Sequence, residues 1–452
     1  MGTFVVPFAG EGGGSGALTW GQREIQGAMR RWGATLSLGD SSPLPPGSTV
    51  EQIAALLGFL MSRHPSLRTR LRPGPDGQPR QEVAASGEIG LEVVDFAGTD
   101  AEAAAFAKAM SDGYYREPFD LSTGWPVRMA VVRHRGVAAY LVAMYSHLAL
   151  DAGGLAALIA DAATVGTGHP APTAVSPLAQ ARWQAGPAGH RHNQNTLRYW
   201  DRALRAIPAR RFPLPAGPRP PRIRELLAQS PALDLALRVI AGRTGVDTPT
   251  VLLAASATAL ARVTGLLPSA SLVMVSNRFR SGYADSVSVL SQPALCVVDV
   301  AGASFDEVVA RTWRSSVNAY KNAYCDPVER AALQARIGAE RGEEIDIFCF
   351  FNDRRTPGQK TPPGPPPAAA DVRAALPGTS LRWLETPFDP GSEHFFVHVN
   401  PTPDTIDLRI TLDAGWVDPA DAEAYVRELE AVAVGAALDP AMPTGVRERH
   451  PV

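Results

Sequence analysis

The sequence predicts an α/β protein in two lobes, on three observations. Strand-like and helix-like segments alternate in both halves of the chain. The 452 residues, 45% hydrophobic and 19% charged, are enough to bury a large core and to fill two or three domains. Between Val165 and Asn195 the composition turns to Gly, Pro, Ala and His, as suits an exposed connection. The predicted division is an N-terminal lobe over 1–175, a linker over 176–195 and a C-terminal lobe over 196–452.

After a Gly-rich start, Trp20 to Trp32 reads as a helix, and Val50 to Ser62 as a second, with apolar residues at three-to-four spacing. Pro126 to Arg133 and Gly136 to Tyr145 are apolar and rich in β-branched residues. The short His134-Arg135-Gly136 turn between them makes a hairpin of buried strands. Leu155 to Ala163 resumes helical composition. The second half predicts helices near Ala232 to Thr244, Pro249 to Thr264, Phe305 to Tyr324 and Pro419 to Val434. It predicts strands at Ser271 to Ser276, Ile345 to Asn352, His394 to Asn400 and Thr405 to Asp413. Thr356 to Ala370 is too Pro-rich for either element and reads as a loop.

Composition removes several classes of function. Lys+Arg 43 against Asp+Glu 45 gives a formal net charge of -2 with no basic block, which argues against nucleic acid as a partner. Cys296, Cys325 and Cys349 lie far apart without CxxC spacing, against a disulfide framework or a structural zinc site. The first twenty residues lack a basic n-region and a sustained apolar run, and no stretch of about 18 apolar residues occurs, so neither a secretion signal nor a spanning helix is expected. The expected compartment is the cytoplasm, with no membrane partner. His169, His190 and His192 fall in the Gly/Pro-rich stretch without a carboxylate or Cys at ligand spacing and read as solvated. His394 and His398 share a strand face but have no third ligand nearby. Asn352-Asp353-Arg354-Arg355 ends a buried strand of the second lobe and reads either as an ordinary polar strand end or as a group facing the cleft.

Ala138 to Gly154, AAYLVAMYSHLALDAGG, is the segment that carries chemistry. A buried strand delivers His147 onto a turn that ends in an acidic residue and two glycines. An imidazole at the edge of an apolar strand is placed to act on a bound substrate. His147 and Asp151 need not touch: an Asp four residues on can lock the turn by pairing with an Arg, while Gly153 and Gly154 allow backbone shapes other residues resist. The spacing alone also fits a structural His at a strand end.

Five segments, in order, resemble the condensation domains of non-ribosomal peptide synthetases. LTWGQREI (Leu18 to Ile25) is similar to the family's SxAQxR-type motif, with Thr19, Gln22 and Arg23 in register. SRHPSLRTRL with DGQPRQEV (Ser62 to Val83) resembles RHExLRTxF and its DGxxxQ tail. EPFDLSTGWPVRMAVV (Glu117 to Val132) resembles PFDLxxGPLxR. SHLALDAGG (Ser146 to Gly154) stands where the family has HHxxxDG, and VSNRFRSGYADSVSVLSQ (Val275 to Gln292) where it has AGRxxxE and VGxFVNT.

The resemblance implies a pseudo-dimer of two chloramphenicol-acetyltransferase-like α/β sandwich lobes in a V, in free-standing form. It implies an acyltransferase that joins an acyl or peptidyl thioester on a carrier protein to an amine or hydroxyl, giving an amide or ester in natural-product biosynthesis. The carrier protein is a partner in trans and supplies its own phosphopantetheine; the chain itself binds no cofactor and no metal. The acceptor is a small molecule or is carrier-bound. By position, His147 is the functional His and Asp151 the structural carboxylate, braced by Arg278 or, failing that, Arg68. Gly153 and Gly154 either present N–H groups to a developing oxyanion or simply form a tight turn. Three departures stand out: Ser146 replaces the first His, Ala152 the motif Gly, and VLSQPALC the VGxFVNT stretch, where Pro293 cannot donate to a strand ladder. They leave open a second reading, a catalytically silent relative that recruits a carrier protein or tailoring enzyme.

Overall fold

A computed structural model describes residues 2–75, 77–166, 174–212, 221–360, 364–384 and 394–447. Backbone contacts divide the chain into two units. The first comprises Met1–Asn193 and Ser276–Gln292, the second Gln194–Val275 and Pro293–Val452. A short segment from the middle of the C-terminal half therefore completes the first unit.

The first unit runs β1 (Gly2–Ala9), β2 (Gly14–Ala17), α1 (Trp20–Trp32), β3 (Ser37–Pro43), α2 (Val50–Arg63), β4 (Thr69–Pro73), β5 (Pro79–Val83), β6 (Ser86–Phe96), α3 (Asp100–Arg116), β7 (Val127–His134), β8 (Val137–Ser146), α4 (Ala152–Ala162) and α5 (Pro177–Ala185). Five strands form a sheet in the order β1-β6-β7-β8-β3, and three more a small sheet β2-β5-β4. The apolar run VRMAVV in β7 has no alternation because both of its faces are covered. Met129 and Val131 pack with Ile53, Leu57 and Met61 of α2, while Ala130 and Val132 pack with Ala107 and Tyr114 of α3.

α6 (Pro187–Ala206) begins in the first unit and continues from Gln194 in the second, which then runs β9 (Ile223–Ser230), α7 (Pro231–Thr244), α8 (Thr248–Thr264), β10 (Ser269–Val275), β11 (Gln292–Val298), α9 (Phe305–Lys321), α10 (Pro327–Arg341), β12 (Cys349–Asp353), α11 (Pro357–Lys360), α12 (Ala369–Ala375), β13 (Ser380–Leu384), β14 (Phe395–Asn400), β15 (Ile406–Asp413) and α13 (Pro419–Leu438). Seven strands pair in the order β11-β10-β12-β14-β15-β9-β13. A four-strand plan recurs in the two sheets: a parallel pair, an antiparallel return, then an antiparallel strand from the start of the unit. It is β6-β7-β8-β3 in one and β12-β14-β15-β9 in the other. Each return strand feeds a helix, α4 or α13, capped by an Asp, Asp151 or Asp418.

Several expectations need correction. The stretch expected to be an exposed linker is helical over α5 and the start of α6. Ser176 caps α5, Pro177 sits in its first turn, and the buried Gln180 amide reaches Ser288 Oγ at 2.9 Å. His169 lies outside the described residues. The helix expected to run to Tyr324 stops at Lys321, and a further helix, α10, follows Pro327. Only Cys349–Asp353 of the strand expected from Ile345 is paired. The Pro-rich loop contains the short α11, and residues 361–363 of it lie outside the described set. Pro293 is tolerated because β11 is an edge strand and Pro293 is its second residue. No helix among the described residues is long and apolar enough to cross a membrane. All three cysteines are buried and none is in a disulfide.

The LTWGQREI motif has a local explanation. Thr19 Oγ1 accepts from Gln22 N–H at 3.2 Å and Gln22 Oε1 accepts from Thr19 N–H at 2.8 Å, a reciprocal capping box that starts α1. Gly21 lies against the returning 276–292 segment, and a Cβ there would strike the Val289 carbonyl. Gly21→Ala is therefore expected to cost about 1–3 kcal/mol by overpacking against backbone. Thr19→Ala, a cap loss only, should cost about 1 kcal/mol. Chemical denaturation of the two variants checks the ranking, and a Gly21→Ala protein as stable as wild type would contradict it.

Candidate active site

The end of β8 is held from two sides before the His is reached. Ser146 N–H donates to Pro126 O at 2.9 Å and His147 N–H to Leu36 O at 2.8 Å. The chain then turns, Ala149 N–H donating to Ser146 O at 2.9 Å. His147 is half-buried, and its Nδ1 lies 3.0 Å from Leu150 O. A carbonyl oxygen only accepts, so Nδ1 carries the hydrogen and Nε2 keeps the lone pair. Burial lowers the His147 pKa below its ordinary 6.5, and the nearby Asp151 carboxylate offsets this only in part. At neutral pH the ring is an uncharged imidazole with its basic nitrogen defined.

Asp151, 1% exposed, does not meet the imidazole's Nδ1; it holds the turn. Its Oδ1 accepts from Gly154 N–H at 2.7 Å, capping α4, and from the Arg278 guanidinium. Its Oδ2 accepts from Leu290 N–H at 2.8 Å and Ser291 N–H at 2.7 Å. Burial pushes its carboxyl up, but Arg278 and these N–H donors outweigh it and the net shift is downward. Arg278 also donates to Ser286 O at 2.7 Å, Tyr283 O at 3.2 Å and Ser288 O at 3.2 Å, so one guanidinium gathers the 276–292 segment around itself. Of the two arginines considered from the sequence, Arg278 meets Asp151. Arg68 is buried elsewhere, donating to Glu11 O and Ala84 O.

Gly153 and Gly154 are required by packing. A Cβ at Gly153 would overlap the Arg278 side chain, and one at Gly154 would come 2.8 Å from Ser288 O. The Gly154 N–H is already given to Asp151, which removes it from the pair considered for an oxyanion. Ser146, 1% exposed, closes the strand, its Oγ only 3.4 Å from Leu148 N–H.

The remaining motif residues brace the first unit. Arg128 straps its own PFDL turn, donating to Glu117 O at 2.7 Å and Pro118 O at 2.6 Å, with its guanidinium 4.2 Å from the Phe119 ring centroid. Gln81 donates to Ala17 O at 2.8 Å. His64 and Arg63 share Asp161, at 2.9 and 2.8 Å. Sequence reasoning missed Asn277, buried, with φ 57° and Nδ2 donating to Leu290 O at 2.8 Å. Asn is the non-Gly residue that most readily takes this left-handed shape, and its place directly before Arg278 was the available signal. Gln180, Ser286 and Ser288 join in one buried cluster; the two serines lie within the quoted 275–292 segment, but nothing in it pointed to Gln180. In the second unit, His394 pairs with Asp346 at 3.0 Å and stacks on Trp416, while His398 faces Asn352 at 3.4 Å. Asp353 and Arg355 close on each other at 2.8 Å at the end of β12.

The condensation-domain family model matches residues 46–323. Among curated proteins, phosphinothricin tripeptide synthetase PhsC of Streptomyces viridochromogenes is 29% identical over 302 residues, 64% of this chain and 28% of that protein. The isonitrile lipopeptide synthase of Mycobacterium tuberculosis is 28% identical over 293 residues, 60% of this chain and 12% of that protein. The chain thus spans about a quarter of one relative and an eighth of the other. Among solved structures, SgcC5 from Streptomyces globisporus aligns with a TM-score of 0.68 at 19% identity, over 94% of this chain and 100% of that one. The condensation domain of the monacolin K polyketide synthase MokA reaches 0.71 at 15% identity, over 96% and 99%. The X-domain of teicoplanin biosynthesis, solved in complex with OxyB, reaches 0.69 at 19% identity, over 98% and 97%. These likenesses show a common fold, the chloramphenicol-acetyltransferase-like fold of condensation domains. With the family model covering well over half of it, from α2 through the His147 turn and the 276–292 segment, this chain belongs to the condensation-domain family.

Proposed function

We propose that the protein is an acyltransferase that forms an amide or ester from an acyl or peptidyl thioester on a carrier protein and an amine or hydroxyl acceptor. The observation that carries the reading is the fixed neutral imidazole: Nδ1–H anchored on Leu150 O, Nε2 left basic, and the turn beneath it locked by the Asp151–Arg278 pair. In the reaction the acceptor's nitrogen or oxygen bonds to the acyl carbon and the carbon–sulfur bond breaks. His147 Nε2 accepts or orients the proton that leaves the acceptor, and that proton ends on the departing thiol. Asp151 and Arg278 act through the turn and are positioning residues. The thiol belongs to the carrier's phosphopantetheine, so the chain needs no cofactor of its own. The carrier works in trans, and both partners are expected in the cytoplasm.

A second reading, a silent relative that recruits a carrier or a tailoring enzyme, is favoured by Ser146 and Ala152 and by the fold shared with the X-domain solved with OxyB.

Three measurements separate and test these readings. His147→Ala should slow product formation about 10²- to 10⁴-fold with a matched carrier-bound donor and acceptor. Carrier binding, measured by calorimetry, should be unchanged. Equal product from both proteins would remove His147 from the chemistry, and no product from wild type would favour the recruiter. The pH–rate profile follows from the direction of the His147 shift. Because burial lowers the pKa, the neutral base survives below pH 6.5, and the rate should fall only when the pH drops beneath that value. A limb centred above 6.5 would point to another group. Asp151→Asn leaves Arg278 without its counter-charge and should cost about 3–5 kcal/mol of stability along with activity. An unchanged melting temperature with lost turnover would instead make Asp151 a direct participant.

A further inference from the structure

One surface of the first unit is incomplete as it stands. β1 is the terminal strand of its sheet, paired only with β6 among the described residues. Its sequence, GTFVVPFA, carries no charge, although exposed edges normally carry charges that block further pairing. Phe4 is 42% exposed and Val5 55% exposed. Alongside the edge runs α2, and the two elements enclose a groove of about 800 Å³ lined by Phe4, Val6 and Phe8 and by Ala54, Ala55 and Phe59.

The direction of the free backbone groups follows from two bonds. Gly10 N–H turns inward to Ala85 O, whereas Ala9 N–H turns outward to Ser62 Oγ at 3.2 Å, closing that end of the groove. Alternation along an antiparallel strand then aims the N–H and C=O of Thr3 and Val5 outward. Pro7 has the same parity, and its missing N–H costs the β6 ladder nothing. The open edge therefore runs from Gly2 to Val6, with an acceptor and a donor at each of Thr3 and Val5, because the outward Pro7 carbonyl lies against Gly58 of α2, where a Cβ would come within 3.3 Å of it. Charge is confined to the two ends: Glu51 at one, and at the other Arg63, already neutralised by Asp161.

We infer that this groove binds an extended, uncharged segment of a partner protein by strand addition, independently of the acyl-transfer reading. Backbone groups of Thr3 and Val5 specify a strand, and the apolar walls take the side chains that alternate toward α2. A neutral occupant complements the uncharged centre, and roughly five residues at about 3.4 Å each span the open edge. A second copy of this chain fits less well. Continuing the sheet through β1 would bring two α2 helices within about one strand spacing, roughly 4.8 Å, where packed helices need about 8–10 Å.

The test is fluorescence anisotropy with an acetylated, amidated peptide of alternating threonine and valine, and with the same peptide carrying a central proline. The expected result is saturable binding of the first and none of the second. Val5→Pro removes one outward N–H at a position equivalent to Pro7 and should weaken binding at least tenfold. Ala55→Lys, which blocks the groove from the helix side, should do the same, and circular dichroism melting of both variants verifies folding. Absence of binding, or binding equal in wild type and both folded variants, overturns the proposal. So does a concentration-dependent dimer in sedimentation that Val5→Pro abolishes, since the occupant would then be a second copy.

Discussion

The buried pairing of Asp151 with Arg278 is the constraint on which the candidate site depends. The residues are 127 positions apart, and both oxygens of the Asp151 carboxylate are engaged at the meeting point. Asp151 offers about four lone-pair directions and receives four donors: Gly154, Arg278, Leu290 and Ser291. Through its two terminal nitrogens Arg278 also donates to three carbonyls of its own loop. A buried ion pair brings little net stability compared with apolar packing, because desolvation offsets the attraction. What it supplies here is position. One end fixes the N-terminus of α4 and the other the 276–292 segment, and the His147 turn is caught between the strand end and that helix.

The same pair explains an oddity of the motif. In this chain the glycines stand at 153 and 154, with Ala at 152. The residues that must lack a side chain are those against which the 276–292 segment packs. Gly153 lies under the Arg278 guanidinium and Gly154 under the Ser288 backbone. Ala152, the first residue of α4, is exposed. The shifted glycines therefore follow from where Arg278 enters, and the turn itself keeps its capped geometry.

Much of this was legible in the sequence where the pattern was local. The buried hairpin β7–β8 showed as two apolar runs around a short turn, and α1, α2, α7 and α8 as helical periodicity. The pairing of Arg278 with Asp151 was reached only through resemblance, since nothing in spacing links residues so distant. Elements whose identity rests on tertiary covering were lost. β1 begins a Gly-rich stretch, and α5 with the start of α6 is rich in Gly, Pro and His yet is held helical by a capping Ser and by buried Gln180 and Asn193. The transfer of 276–292 to the first unit had no local signal, because bonds that tie it there, such as Gln180–Ser288 and Asp151–Arg278, join residues more than a hundred positions apart.

The repeated plan sharpens what is special about the first unit. In both units a five-residue loop joins the return strand to a helix capped by Asp: 147–151 before α4 and 414–418 before α13. Asp418 keeps the cap, accepting from Ala420 N–H at 3.0 Å. The position equivalent to His147, however, is Ala414, and the strand end equivalent to Ser146 is Asp413, tied to Arg222 at 2.8 Å. The second loop thus retains the fold's turn with Ala where the first carries an imidazole. The loop and its Asp cap recur in both units, so that geometry belongs to the fold, while the imidazole and the Arg278 pairing at the first loop are what the proposed acyl transfer would draw on.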